Sequence, residues 1–261
     1  MFALWPRNRE QDQQILNTRV VHHMGADNVG DHYCAPDLYL PFKDVTSAGY
    51  SDPPRRADLT VIGGGNVFDV ANKYSRGRAF RRSKITAAWG IGLPAPGRRD
   101  AEVSDFADRF THFSTRDHNW SSVFDFVPCA SCLSPAFDNP PNPTQETVLF
   151  LHRRKTPEDL LNDPGLSILT NRFNELESVV RFLSAGEVIV TNSYHGTYWA
   201  QLLGRRVVCI PFGAKFHTFQ NPPTYATFEN WRDMISQAVA YPSELEEHRA
   251  LNKAFFEKVH A

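Results

Sequence analysis

Glu187-Val188-Ile189-Val190-Thr191-Asn192-Ser193-Tyr194-His195-Gly196-Thr197 begins as an apolar, β-branched run and turns polar halfway. Past it, Tyr198-Trp199-Ala200-Gln201-Leu202-Leu203 spaces its apolar residues as a helix does, and Gly204 supplies a helix stop. The stretch reads as a buried strand, a tight turn carrying Thr191, Ser193 and His195, and a helix. Arg206-Val207-Val208-Cys209-Ile210-Pro211 then looks like the next parallel strand. Open α/β sheets place ligands at the carboxyl ends of strands, where helices begin. A helix amino terminus favours negative charge, so the expected ligand is a small anion.

The same strand-loop-helix logic runs through the rest of the chain. Thr18–His23 is a first strand, with Asp31 placed to cap a helix reaching Leu38. Asp58–Ile62 and Ile85–Trp89 are strands running into glycines, and 100–109 has helical spacing. Thr111–Thr115 is a fourth strand, ending at Arg116-Asp117. Pro135, Pro140, Pro141 and Pro143 punctuate the chain and mark a linker. A second run starts at Thr147–His152, followed by the basic trio Arg153-Arg154-Lys155 and a strand over 166–170. A helix over 175–183 turns Leu176, Val179, Val180 and Leu183 inward, and further helices are expected over 231–239 and 243–259. The last would have Ser243 as cap and Glu246 closing a capping box. The fold class is α/β, with two Rossmann-like lobes and a central cleft: 1–138 as amino-terminal lobe, 139–241 as carboxyl-terminal lobe, 242–261 as a final helix.

Composition narrows the function. A formal net charge of −1 over 261 residues gives no basic stripe for nucleic acid. No apolar run is long enough to cross a bilayer, and the start has no signal-peptide core, so a cytoplasmic protein is expected. Cys34 and Cys209 stand alone as buried thiols do. Cys129 and Cys132 form a C-x-x-C, but with no second pair at finger-like spacing packing is the expected role. The histidines show no metal-ligand spacing, so no metal is expected.

Several residues carry candidate chemistry, each with a plainer reading beside it. Gly63-Gly64-Gly65-Asn66 after a strand lets backbone approach a ligand, or simply turns tightly. Without G-x-G-x-x-G or a P-loop lysine, it does not point to nucleotides. Asn28 and Asp31 suit a sugar diol, or a turn and a cap. Arg116 can grip a planar carboxylate, or form a structural ion pair with Asp117. His195 sits with Thr191, Ser193 and Gly196 at a strand end, where a helix terminus lowers an imidazole's pKa. Lys215 and His217 can add charge at the same cleft or be solvated, and Arg153, Arg154 and Lys155 form an anion clamp or an exposed turn.

In this order the pieces resemble the polysaccharide pyruvyl transferase family. Those pieces are Asn28-Val29-Gly30-Asp31, Val61–Asn66, Trp89-Gly90-Ile91-Gly92, Ser114-Thr115-Arg116-Asp117 and Thr191–Gly196, spanning residues 20 to 215. The resemblance implies a GT-B-like fold. It implies transfer of the pyruvyl group of phosphoenolpyruvate onto a sugar diol of a surface polysaccharide or its precursor, leaving a ketal and phosphate. Phosphoenolpyruvate would be the donor substrate, with no cofactor. Arg116 and His195 would be donor-site residues, with His195 acting as general acid or holding the departing phosphate. Asp31 or Asp117 would be the base; Asn28, Gly64, Gly65, Asn66, Ser193, Gly196, Arg153 and Lys215 would line the substrates. Many members carry Arg two positions before the His, where this chain has Ser193. The phosphate then falls to Arg153, Arg154 or Lys215. The family's link to surface polysaccharides suggests a lipid-linked saccharide acceptor and transient contact with the inner face of a membrane. The alternatives are a sugar-nucleotide-dependent glycosyltransferase on the same fold and a non-catalytic carbohydrate-binding relative.

Overall fold

The computed structural model describes residues 15, 17–24, 27–172 and 174–261. Nearly all of the start read for a signal-peptide core lies outside these residues, as do Gly25 and Ala26. Among the described residues, β1 (Thr18–His22), β2 (Val45–Gly49), β3 (Leu59–Ile62), β4 (Ile85–Ile91), β5 (His112–Thr115) and β6 (Asp125–Phe126) form an all-parallel sheet in the order β2-β1-β3-β4-β5-β6. β7 (Gln145–Leu151), β8 (Ile168–Thr170), β9 (Gly186–Thr191), β10 (Arg206–Cys209) and β11 (Thr224–Tyr225) form a second, also parallel, in the order β11-β10-β9-β7-β8. This is the expected two-lobed, GT-B-like arrangement.

The interspersed helices are α1 (Val29–His32), α2 (Phe68–Ser75), α3 (Asp100–Ala107), α4 (Glu158–Leu161), α5 (Leu176–Ser184), α6 (Tyr194–Leu202), α7 (Trp231–Met234) and α8 (Leu245–His260). A parallel sheet covered on both faces needs strands that are apolar throughout, and Val188, Ile189 and Val190 of β9 are fully buried. Each such side chain contributes roughly 1.5–3 kcal/mol on burial. α5 buries Leu176, Val179, Val180 and Leu183, the i, i+3, i+4, i+7 stripe read from sequence.

α8 follows the second sheet in the chain but packs on the first, its Phe255 and Val259 clustering with Val20, Leu59 and Trp89. Trp89 Nε1 donates to Asn252 Oδ1 at 2.8 Å, and Asn252 Nδ2 donates to the Pro128 carbonyl. Asn252→Ala strands a buried indole N–H and a carbonyl, and is expected to cost about 2–3 kcal/mol in urea unfolding.

Local details depart from the sequence reading. Asn28, not Asp31, caps α1, accepting from Gly30 N, and Asp31 lies inside the helix. That helix stops at His32; Pro36, which lacks an N–H, opens a separate 3₁₀ turn, Pro36–Leu38. The helix from Trp231 gives way to 3₁₀ geometry at Ile235. Glu244, not Ser243, holds the cap position of α8, although Ser243 Oγ accepts from Leu245 N, and Glu246 turns to Arg249 instead of closing a capping box. β2 and α2 went unread. β2 is an exposed edge strand without alternation, and α2 buries Asn72 and Ser75 beside only Phe68 and Ala71.

Strand order reverses between β1 and β3 in the first sheet and between β7 and β9 in the second. A crevice opens at the carboxyl ends of the strands at such a reversal. Here the two crevices face each other.

Candidate active site at the facing strand ends

A cavity of about 200 Å³ lies where these ends meet. The first lobe supplies His23 after β1, Asn28 at the cap of α1 and Asp31 within it, Asn66 after β3 and Arg116 after β5. The second supplies His152 after β7, Ser193, Tyr194 and His195 after β9, and Lys215 after β10. The lobes are fastened on two flanks. On one, Val29 N donates to the Asn171 carbonyl at 2.9 Å, and Asp27 pairs with Arg154 at 2.8 Å and Arg172 at 3.3 Å. On the other, His118 N donates to the Thr218 carbonyl at 2.9 Å.

Arg116 is a buried cation with unused donors. It is 4% exposed, its guanidinium stacks 3.9 Å from the Tyr194 ring centre, and its Nε and Nη1 have no hydrogen-bond partner. Stacking satisfies the face of a guanidinium but not its in-plane donors. A buried charge with idle donors, lining a polar cavity, is suited to a carboxylate or phosphate.

Lys215 lines the same cavity. Burial, then the nearby Arg116 charge, pulls its pKa down to about 8. Burial, followed by Arg116 and Lys215, also pushes the His195 pKa well below the usual imidazole value, so the ring is neutral at physiological pH. Burial and two cations thus act in the direction the sequence suggested for a histidine at a helix start. A group with a depressed lysine pKa loses its charge as pH rises through that value. Affinity for a phosphate monoester, fully ionised above about pH 7, is therefore expected to fall as pH passes about 8, by up to about tenfold per unit. Lys215→Met should bind more weakly and show no such fall. Calorimetric titrations between about pH 7 and about pH 9 check both.

Not every sequence candidate reaches the cavity. Asp117, expected as a base, is 1% exposed and accepts from Leu93 N at 2.5 Å and Thr218 Oγ1 at 2.7 Å. It holds loops together. Gly64 is buried, and a Cβ on it would lie 3.2 Å from the Gly90 carbonyl; Gly65 bridges to Ile91. Gly196 lets α6 sit on β7 and β9, for a Cβ there would lie 2.3 Å from Thr191 Oγ1 and 2.6 Å from Phe150 Cδ1. These three glycines bring chain segments together and do not line the cavity. Arg153 pairs with Glu158 at 2.8 Å and lines a neighbouring cavity of about 180 Å³. Of the cations considered for a phosphate, Lys215 is the one in the His195 cavity. His217 packs on Tyr225.

Asn28, Asp31, Asn66, Arg116, Ser193, His195 and Lys215 do converge. Asn28 Nδ2 donates to Asp31 Oδ2 at 2.9 Å, which orients the carboxylate. Ser193 caps α6 by accepting from Gly196 N, a role an arginine could not fill. His23, His152 and Tyr194 were missed, although the strand-end rule that picked Arg116 applies equally to the two histidines. Burial, then Lys215, lowers the His152 pKa. Asn192 Oδ1 accepts from His152 N at 2.7 Å and fixes that turn. On the far side, a groove of about 510 Å³ shares Asn66 and Lys215 with the cavity and adds Phe68, Pro94, Arg98 and Phe212. Cys34, Cys129, Cys132 and Cys209 are buried free thiols. Among the described residues, no group of three or more His, Cys, Asp or Glu side chains is placed to hold a metal, and no helix is long and apolar enough to cross a membrane.

No protein-family model matches the sequence, and no curated protein matches it. Among solved structures, the chain is similar to a Listeria monocytogenes protein described as a UDP-N-acetylglucosamine 2-epimerase. The TM-score is 0.43 and the identity 10%, covering 75% of this chain and 67% of that one. It is also similar to the wall teichoic acid polymerase TagF, at a TM-score of 0.42 and 9% identity, covering 96% of this chain and 85% of that one.

Proposed function

We propose that the chain is a pyruvyl transferase, moving the pyruvyl group of phosphoenolpyruvate onto a sugar diol. The observation that carries this reading is Arg116: a buried guanidinium with unpartnered donors in a small polar cavity. A three-carbon phosphorylated acid is matched to about 200 Å³ and to a cavity carrying Arg116 and Lys215. A nucleotide sugar would have to extend into the adjoining groove.

In this reading the donor's carboxylate lies on Arg116 and its phosphate near Lys215 and the start of α6. The acceptor enters along the groove of about 510 Å³, where Phe68 and Phe212 offer apolar faces. Asp31, held by Asn28, takes the proton of the first hydroxyl. That oxygen bonds to the central carbon while the methylene carbon takes up one proton from solvent, matching the one Asp31 removed and later returns, and becomes methyl. A second hydroxyl then displaces phosphate, which leaves carrying that hydroxyl's proton, and the ketal closes with no net oxidation. In the free protein His195 is neutral, so it enters as a hydrogen-bond donor to the phosphate. The bound anion offsets the two cations and raises the imidazole's pKa, favouring proton transfer as phosphate leaves. An acceptor carried on a lipid would bring the protein to a membrane face.

Thermal shifts separate this from its rivals. Phosphoenolpyruvate should raise the melting temperature and nucleotide sugars should not. Stabilisation by a nucleotide sugar alone would favour a glycosyltransferase, and by saccharide alone a binding protein.

A further inference from the structure

A hydrogen-bond chain, fixed in direction as far as Cys129, runs through the buried core to His195. Trp199 Nε1, which can only donate, lies 2.9 Å from Ser131 Oγ. The Ser131 hydroxyl accepts there and turns its own hydrogen to Cys129 Sγ at 3.2 Å. Cys129 Sγ in turn lies 3.6 Å from His195 Nε2, within reach for sulfur. Burial pushes the Cys129 pKa up, so the thiol keeps its hydrogen. With its sulfur already accepting from Ser131, the acceptor the structure gives that hydrogen is His195 Nε2.

We infer that Cys129 is a positioning residue, whose S–H occupies His195 Nε2 and holds the ring as the Nδ1–H tautomer, offering that N–H to an anion in the cavity. Gly30 packs directly against the Nδ1 side of the ring, where only a glycine fits, since a Cβ there would lie 2.0 Å from that atom. The arrangement gives the site a third donor beside Arg116 and Lys215 without a third buried positive charge, which those two cations would oppose. A C-x-x-C whose spacing suggests metal or redox work thus has its first cysteine set against the candidate site. The inference rests on reading the cavity as an anion site, not on pyruvyl transfer.

Long-range ¹H–¹⁵N spectra of the histidine rings read the tautomer directly, with His195 assigned by comparison with His195→Gln. In ligand-free protein at neutral pH, Nδ1 should carry the proton and Nε2 should not. Cys129→Ser, which keeps an O–H donor, should preserve this state and the affinity for inorganic phosphate. Cys129→Ala should shift the ring toward Nε2–H and weaken phosphate binding about tenfold. A wild-type ring with its proton on Nε2 overturns the inference even if neither variant folds. Equal losses in the serine and alanine variants, with unchanged spectra, also overturn it. A wild-type ring in the stated tautomer that binds no phosphate would overturn the anion-site reading instead.

Discussion

Arg116→Met is expected to abolish phosphoenolpyruvate binding, by about a hundredfold or more, while leaving the melting temperature of the ligand-free protein within about 3 °C of wild type. Two opposing effects set the second number. Methionine matches the aliphatic bulk of arginine and removes a buried charge whose Nε and Nη1 have no partner, which is favourable by an amount of order 1–4 kcal/mol. It also removes the cation nearest Asp117, whose pKa burial already pushes up. That carboxylate keeps its bonds from Leu93 N and Thr218 Oγ1, so the loss is partial and the two effects nearly cancel. Function has no such compensation, because the charge and the fork are what an anion would use. Scanning calorimetry and a binding titration on one sample check both halves. A large fall in melting temperature would mean Arg116 is structural after all.

Gly30→Ala should damage the site through geometry alone. The new Cβ would stand 2.0 Å from His195 Nδ1 and 2.4 Å from Cγ, distances no packed atoms tolerate. His195 has little room to retreat: Cys129 lies beyond Nε2 and the Trp199 ring centre is 5.2 Å away. Either the imidazole tilts or α1 moves, and α1 carries Asp31. A displacement near 1 Å at a reacting group costs on the order of a hundredfold in rate. Overpacking adds about 1–3 kcal/mol of destabilisation. Turnover should therefore fall far more than urea stability. Wild-type turnover in Gly30→Ala would remove His195 and Asp31 from any acting pair.

How much of this was legible in the sequence follows from what each signal encodes. β9 and α6 were readable because burial on both faces forces an unbroken β-branched run, and Gly204 closes the helix. Arg116 was readable by position, directly after a strand. Its neighbour Asp117 was not separable from it, because consecutive side chains at a strand end point opposite ways and the sequence does not say which way faces the cleft. Asn28 and Asp31 were both recognised, with the cap assigned to the wrong one, since either type can cap. Gly64 and Gly196 look the same whether they admit a ligand or another backbone. His23 and His152 stand at strand ends just as Arg116 does, but that β1 and β7 flank the two reversals depends on strand order, which is not written in local sequence.

The most direct measurement of the central claim is phosphate release from phosphoenolpyruvate against a panel of galactosides, glucosides and mannosides, with wild type and Arg116→Met side by side. Release that requires a saccharide and disappears in the folded Arg116→Met protein is the expected result. Release with no acceptor dependence, or undiminished in Arg116→Met, would contradict it.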